Sequence, residues 1–384
     1  MRFSVDAHAI GQHLTGNETY VRNLLNCFAA LDRRADFVTY LSREGAFSDV
    51  PERFHKRLVA VNPFVRLGFD LPRRLRQDRP HVFHVQYTAP LFCPAPVVVS
   101  VHDVSFLENP EYFTRFRALQ LRCTVERTVK AASRVLTPSE FSKRSILKAY
   151  GLDDGKVVVL PNGVSSSFRP IARETAQRSL PSSFHGQVPF ILSVGDLQPR
   201  KNHVGLIHAF EQLVSAHPQI AHHLVIVGKE TWYAPAIRAA AKKSKVADRI
   251  HFTGFVPDGE LLRLYGACDL FVYPSFYEGF GLPIVEAMAC GRAVACSNTS
   301  AMPEVADSAA IFFDPHSEHE IVLAMRDLLL NPELRLRMER LGAQRAATFS
   351  WERTAAKTLE IYYEIAGRTA ATPARSIKTA SAVR

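Results

Sequence analysis

"PSFYEGFGLPIVEAMACG", residues 274–291, overlaps the end of one short apolar run, "LFVYPS" (270–275), and leads into another, "AVACS" (293–297). Pro283 suits the first helical turn and Gly291 suits the stop, so the spacing predicts a helix from about Leu282 to Cys290. Strand, glycine-rich turn, helix and strand then follow one another. The same alternation extends outward through "PVVVSV" (96–101), "RVLT" (134–137), "KVVVL" (156–160), "FILSVG" (190–195), "HLVIVG" (223–228), "IHFTGF" (250–255) and "AIFF" (310–313), with helical patterns such as "VGLIHAFEQLVSA" between them. These runs are continuously apolar rather than alternating, which marks parallel sheets covered on both faces. The expected class is α/β, two doubly wound parallel sheets.

Domain organisation follows from what interrupts the pattern. "RPIARETAQRSLPSSFHGQVP" (169–189) is rich in Pro, Ser and Arg and has no strand signal, so it reads as a linker. One domain is expected over 1–170 and a second over 171–350. A last helix spans about Trp351 to Ala366, and a disordered basic tail follows over 367–384. A single core is too small for 384 residues, which fits two domains.

Polar signatures close strand after strand: "HD" (102–103), "PNG" (161–163), "GDLQPRKN" (195–202) and "PSFYEGFG" (274–281). In open α/β sheets ligands sit outside the carboxyl ends of strands, so two such edges facing each other make a cleft. Within 274–291, Gly279 and Gly281 let backbone approach a ligand and free N–H groups at the helix start, which favours a phosphate. Glu286 lies about a turn into that helix, where it would repel phosphate but would accept hydrogen bonds from a ribose diol. Glu278 on the loop would accept from hydroxyls of a transferred group. A capped helix with acids near its positive end is the competing reading.

Arg200 and Lys201 follow a strand directly. A planar fork and a compact charge together suit a pyrophosphate, against the alternative of a solvated basic turn. His102 ends a buried strand, where it can bond a sugar hydroxyl or serve as a structural histidine. Asp103 reads as a loop cap. Gly16 lies in a loop before a helix led by Tyr20 and either admits a diphosphate or forms an ordinary turn.

Composition excludes several classes. The six cysteines have no C-x-x-C pair, which fits reduced, cytoplasmic thiols. "MRFSVDAHAI" predicts no signal peptide, and no apolar stretch approaches the length of a membrane span. The net charge of +10 is concentrated in "RFHKRLVAVNPFVRLGFDLPRRLRQDR" (53–79) and around 115–134. Basic residues interleaved with Val, Phe and Leu suit an anionic membrane face or a phosphorylated ligand; a solvated helix face is the alternative. No nucleic-acid module is recognisable. G-x-G-x-x-G after a first strand, the P-loop, G-x-S-x-G and H-E-x-x-H are all missing from the sequence. No D-x-D occurs, so no metal is expected, and the charge of a leaving diphosphate falls to Arg200, Lys201 and helix amides.

Taken together the chain resembles the GT-B glycosyltransferases of family 4. "TGNETYVRNLL", "VHDVSF", "TPSEFSKRSI", "LPNGVSSSFRP", "ILSVGDLQPRKN", "GFVPDGELLRLYGACDLFVYPSFYEGFGLPIVEAMACG" and "SNTSAMPEVADSAAIFFDP" occur in the family's order. The resemblance implies two Rossmann-like domains facing an interdomain cleft, with the last helix crossing back to the first, and a retaining, metal-independent transferase using a nucleotide sugar. It implies that Arg200 and Lys201 bind the donor diphosphate, Glu278 the donor sugar and Glu286 the ribose. His102 would lie near the reacting sugar, the amides of Gly279, Phe280, Gly281 and Leu282 would support sugar and phosphate, and Gly16 would line the phosphate side. Many members carry two glycines where "LTGNETY" has one. The wording is most similar to bacterial mannosyltransferases of polysaccharide and O-antigen assembly. That implies GDP-mannose as donor, with UDP-sugars open, a lipid-diphosphate-linked glycan as acceptor, and peripheral contact with the cytoplasmic membrane's inner face. A GT-B-like phosphorylase, an epimerase or a non-catalytic sugar-nucleotide-binding subunit are the rival readings.

Overall fold

The computed structural model describes residues 1–12, 15–180 and 188–371. One sheet comprises β1 (Arg2–Asp6), β2 (Asp36–Leu41), β3 (His55–Leu58), β4 (Val82–Gln86), β5 (Val97–Ser100), β6 (Arg134–Thr137) and β7 (Val157–Val159), in the order β3-β2-β1-β4-β5-β6-β7. The other holds β8 (Phe190–Val194), β9 (His223–Val227), β10 (Ile250–Gly254), β11 (Leu270–Tyr273), β12 (Val294–Ser297) and β13 (Ile311–Phe313), in the order β10-β9-β8-β11-β12-β13. Its five pairings are all parallel. Every strand expected from the apolar runs is present, and β1 to β4 are additional.

Contacts group the chain into two compact units. The first holds Met1–Ser100, Ala131–Val135 and the segment beginning at Ala355; the second holds Val101–Lys130 and Leu136–Thr354. The first unit is built on aromatic packing. Phe28 stacks on Phe37 with ring centroids 5.5 Å apart, and Tyr362 of the last helix lies 5.2 Å from Phe3. Its strands also carry buried polar groups. His84 is 2% exposed and its Nε2 meets Ser100 Oγ at 2.8 Å, which in turn meets the Tyr20 hydroxyl at 2.8 Å. The last helix, Trp351–Ala371, runs past its expected end at Ala366, and the expected tail beyond it lies outside the described residues. So does 181–187 of the expected linker; the short helix Arg173–Arg178 precedes it.

In the second unit the six-stranded sheet is covered on both faces, as its largely apolar strands require. Successive residues alternate sides: Leu192 and Phe271 pack with Ile284 and Val285, while Ile191 and Val272 pack with Phe210 and Leu328. Each such side chain, fully removed from water, contributes roughly 1.5–3 kcal/mol before entropy is set against it. Strand order runs β8-β9-β10 one way and β11-β12-β13 the other, so it reverses between β8 and β11. A crevice opens beyond the carboxyl ends of strands where their order reverses, because the two connecting segments leave towards opposite faces.

Candidate functional site

The segments leaving β8 and β11 carry the residues singled out in the sequence. After β8 the chain makes a short 3-10 turn, Pro199–Lys201, closed by Asn202 in the left-handed region (φ 53°). The Asn202 side chain then accepts from the Gly205 N–H and starts the helix His203–Ala216. After β11 it passes Ser275 to Gly281 and enters the helix Leu282–Ala289. The two segments are tied at the backbone: the Phe276 N–H donates to the Arg200 carbonyl at 2.8 Å.

That tie brings Arg200, Lys201 and Glu278 into direct contact. Arg200 Nη1 donates to Glu278 Oε2 at 2.7 Å and Lys201 Nζ donates to Oε1 at 2.6 Å. Each carboxylate oxygen therefore holds one cation. Lys201 also donates to the Tyr273 hydroxyl at 2.7 Å, and Arg200 donates to the Tyr277 carbonyl and to Gln198. The side chains of Lys201 and Glu278 are 9% and 8% exposed, that of Arg200 20%. Burial opposes ionisation of Glu278, but the Arg200 and Lys201 charges outweigh it and hold the carboxyl at about 2. Burial and the Arg200 charge push the Lys201 ammonium below its ordinary value against the pull of Glu278; Glu278 keeps the Arg200 guanidinium raised despite burial. The triad carries one net positive charge. Lys201 has one of its three protons uncommitted, and Nη2 of Arg200 has no hydrogen-bond partner among the described residues.

The helix start beside the triad is open. Gly281 caps it with φ 101°, a conformation that side chains beyond glycine disfavour, and contributes no side-chain hydrogen bond. Among the described residues none of the N–H groups of Gly279, Phe280, Gly281 and Leu282 has a partner. A neighbouring helix start is treated in the opposite way. In Glu140–Tyr150 the Glu140 and Phe141 N–H groups donate to the two carboxylate oxygens of Glu304, at 2.8 and 3.0 Å. Ser139 caps the same helix by accepting from the Ser142 N–H and donates its own hydroxyl to the Gly279 carbonyl at 2.7 Å. Ser142 donates to the carbonyls of both His102 and Gly279, at 3.0 and 3.1 Å. Gly279 thus lies against the strand-end residue His102. A Cβ there would sit 2.0 Å from the His102 carbonyl oxygen.

His102 is held to about 4 by burial, so its imidazole is neutral at physiological pH. Asp103 Oδ1 accepts from the N–H and hydroxyl of Ser105, the turn role its position suggested. Glu286 is buried one turn into its helix and Oε2 accepts from the Tyr265 hydroxyl at 3.0 Å. Burial raises it to about 7, with the Tyr265 hydrogen bond opposing and the Asp258 charge adding.

His102, Arg200, Lys201, Glu278, the Gly279–Leu282 amides and Glu286 therefore belong to one unit. Gly16 belongs to the other, and it lies inside the first turn of the helix Thr15–Leu31 rather than in a loop ahead of Tyr20. "TGNE" is already helical, and Glu18 in that first turn accepts from the Gly11 N–H at 3.1 Å. Ser139, Ser142, Tyr265 and Tyr273 were not anticipated. A Ser followed by Glu140 ahead of a helical pattern signals a cap, but the partner carbonyl 140 residues away leaves no local trace.

A family model described as "Glycosyl transferases group 1" matches residues 178–345, and one described as "Glycosyltransferase Family 4" matches residues 14–168. O-antigen chain mannosyltransferase B of Escherichia coli is 29% identical over 85% of this chain and 88% of that protein. The serotype-specific mannosyltransferase WbdA of the same organism is also 29% identical, over 76% of this chain but only 36% of its own length. Among solved structures, WaaG, a glycosyltransferase involved in lipopolysaccharide biosynthesis, superposes with a TM-score of 0.75 at 18% identity, covering 94% of this chain and 99% of that one. Sucrose-phosphate synthase from Thermosynechococcus elongatus superposes with a TM-score of 0.79 at 19% identity, covering 96% and 100%. The two sheets have the GT-B architecture of these neighbours. With both halves matched, the chain belongs to the family 4 glycosyltransferases.

Proposed function

We propose that this enzyme is a retaining, metal-independent mannosyltransferase that moves mannose from GDP-mannose to a lipid-diphosphate-linked glycan. The observation that carries the donor site is the Arg200–Glu278–Lys201 triad beside an uncapped helix start at the strand-order reversal. Nη2 of Arg200, the remaining proton of Lys201 and the Gly279–Leu282 amides receive the diphosphate. Glu278, ionised and with lone pairs to spare, accepts from the donor sugar's hydroxyls, and neutral His102 bonds a further hydroxyl. Glu286 takes the ribose. In the transfer the anomeric C–O bond to phosphate breaks and the bond to the acceptor oxygen forms on the same face. The acceptor's proton goes to the departing phosphate oxygen. Fixed cations and amides stabilise that charge where a divalent metal otherwise would. Mannose is favoured by the names of the relatives above; a UDP-sugar is the alternative donor.

For the acceptor side, the helical run 63–78 exposes Phe64 (67%) and Phe69 (78%) beside Arg73, Arg74 and Arg76. No helix among the described residues is long and apolar enough to cross a membrane. Aromatic anchors flanked by arginine suit peripheral binding to an anionic bilayer at the cytoplasmic face. The test is a panel of GDP- and UDP-sugars with a lipid-diphosphate-linked acceptor, with and without EDTA. GDP-mannose turnover unchanged by chelation supports the reading. Loss of turnover in EDTA, or normal transfer by Arg200→Ala, overturns it.

A further inference from the structure

Tyr265 lies in the helix Asp258–Ala267 and is fully buried, yet its hydroxyl meets the carboxylate of Glu286, in the same unit. Oε2 accepts from that hydroxyl at 3.0 Å, while Oε1 has no hydrogen bond among the described residues. We propose that Tyr265 is a positioning residue for nucleotide recognition: its hydroxyl fixes one oxygen of Glu286 and leaves the other to receive the two ribose hydroxyls, so that nucleotide binding is coupled to loss of a proton from Glu286. This rests on the reading that Glu286 takes the ribose.

The coupling follows from hydrogen-bond valence. One carboxylate oxygen can accept from both hydroxyls of a cis-diol through its two lone pairs, whereas a protonated carboxyl keeps Oε1 free for them only by carrying its proton on Oε2, which forfeits the Tyr265 hydrogen bond and leaves that hydroxyl the longer contact to the Pro283 carbonyl at 3.4 Å. Burial favours that protonated form at neutral pH, and the Tyr265 hydrogen bond counters it. The titratable surroundings are few. Asp258 acts from the helix of Tyr265, and Cys290 lies one turn on along the helix of Glu286. From β11 and β12 come Tyr273, bonded to Lys201, and the Cys296 thiol, which burial keeps protonated. Glu304 of Met302–Ala306 is occupied by the Glu140 and Phe141 amides; on Pro332–Ala346, Arg345 donates to the carbonyls of Glu304 and Val305, and Glu339 feels Arg292 and Arg335.

The experiment measures the affinity ratio of GDP to 2′,3′-dideoxy-GDP from pH 5.5 to 8.5, with the UDP pair alongside. The phosphates titrate alike in both ligands, so the ratio isolates the ribose hydroxyls. In the wild type the ratio rises with pH through about 7 and then levels. Tyr265→Phe lowers the plateau by up to about tenfold and moves the midpoint to higher pH, with pyrophosphate affinity unchanged. Glu286→Gln gives a low, flat ratio. A Tyr265→Phe profile superimposable on the wild type overturns the proposal while leaving the ribose assignment standing. A wild-type ratio near one, or an unaltered Glu286→Gln, removes the ribose assignment itself. Should Tyr265→Phe not fold, proton release on wild-type binding at pH 6.5, measured calorimetrically in two buffers, must be greater for GDP than for its dideoxy analogue; equal release overturns the coupling.

Discussion

Glu278→Gln keeps the size of the side chain and removes the only negative charge that Arg200 and Lys201 share. The loss can be sized from the ionisation of the carboxyl. Its fall from 4.5 to about 2 on folding corresponds to roughly 3 kcal/mol at about 1.4 kcal/mol per pH unit. Direct removal of one partner from a buried pair costs about 3–5 kcal/mol, so the two routes agree. Because the folded value is depressed, this stabilisation is complete above pH 4.5 and disappears as pH falls through about 2. In differential scanning calorimetry at pH 7 the transition of the second unit should drop by roughly 6–12 °C. By pH 3 the gap between variant and wild type should be less than half of that. A variant that melts within about 2 °C of wild type at pH 7, or a gap that stays constant down to pH 3, would refute the reasoning, because the carboxylate would then not be balancing the two cations. The released cations should also bind pyrophosphate more tightly in the variant, even as transfer falls.

Arg200→Ala should lower transfer by about 10²–10³-fold with the circular dichroism spectrum unchanged, read with labelled donor. Gly279→Ala must push backbone off the His102 carbonyl, which a Cβ would approach to 2.0 Å; a loss of about 1–3 kcal/mol in chemical denaturation, with turnover reduced, is expected. Ser139→Ala removes a helix cap and the bond to the Gly279 carbonyl together, about 1–2 kcal/mol by the same assay. Replacing both Phe64 and Phe69 by Ser should release the protein from anionic vesicles in a sedimentation assay without altering donor affinity.

What could be read from residues alone depended on how much of the signal was local. The six strands of the second sheet are mostly apolar, with lone polar residues such as Ser193 and Thr253 too few to hide the pattern, and all were legible. β1, β2 and β4 carry Ser4, Asp6, Thr39, His84 and Gln86 as buried polar residues, which interrupt the apolar run although each lies inside the sheet. At the site, Arg200, Lys201, Glu278 and Glu286 were legible as residue types suited to phosphate and hydroxyl groups. That Glu278 stands between the two cations was not, because the Phe276–Arg200 backbone bond beside the triad joins segments that follow two different strands, 76 positions apart in the chain. Tyr265 and Tyr273 sit in largely apolar stretches of the sequence. Their hydroxyls acquire meaning only once the acid and the amine they meet are in place.

The two helix starts at residues 140 and 282 have a consequence for any anion that reaches this surface. Glu304 acts as a stopper of the chain's own making, so the first start repels what the second attracts. Swap that glutamate for glutamine and the first start is expected to compete for inorganic phosphate, so that phosphate would slow the variant more than the native protein.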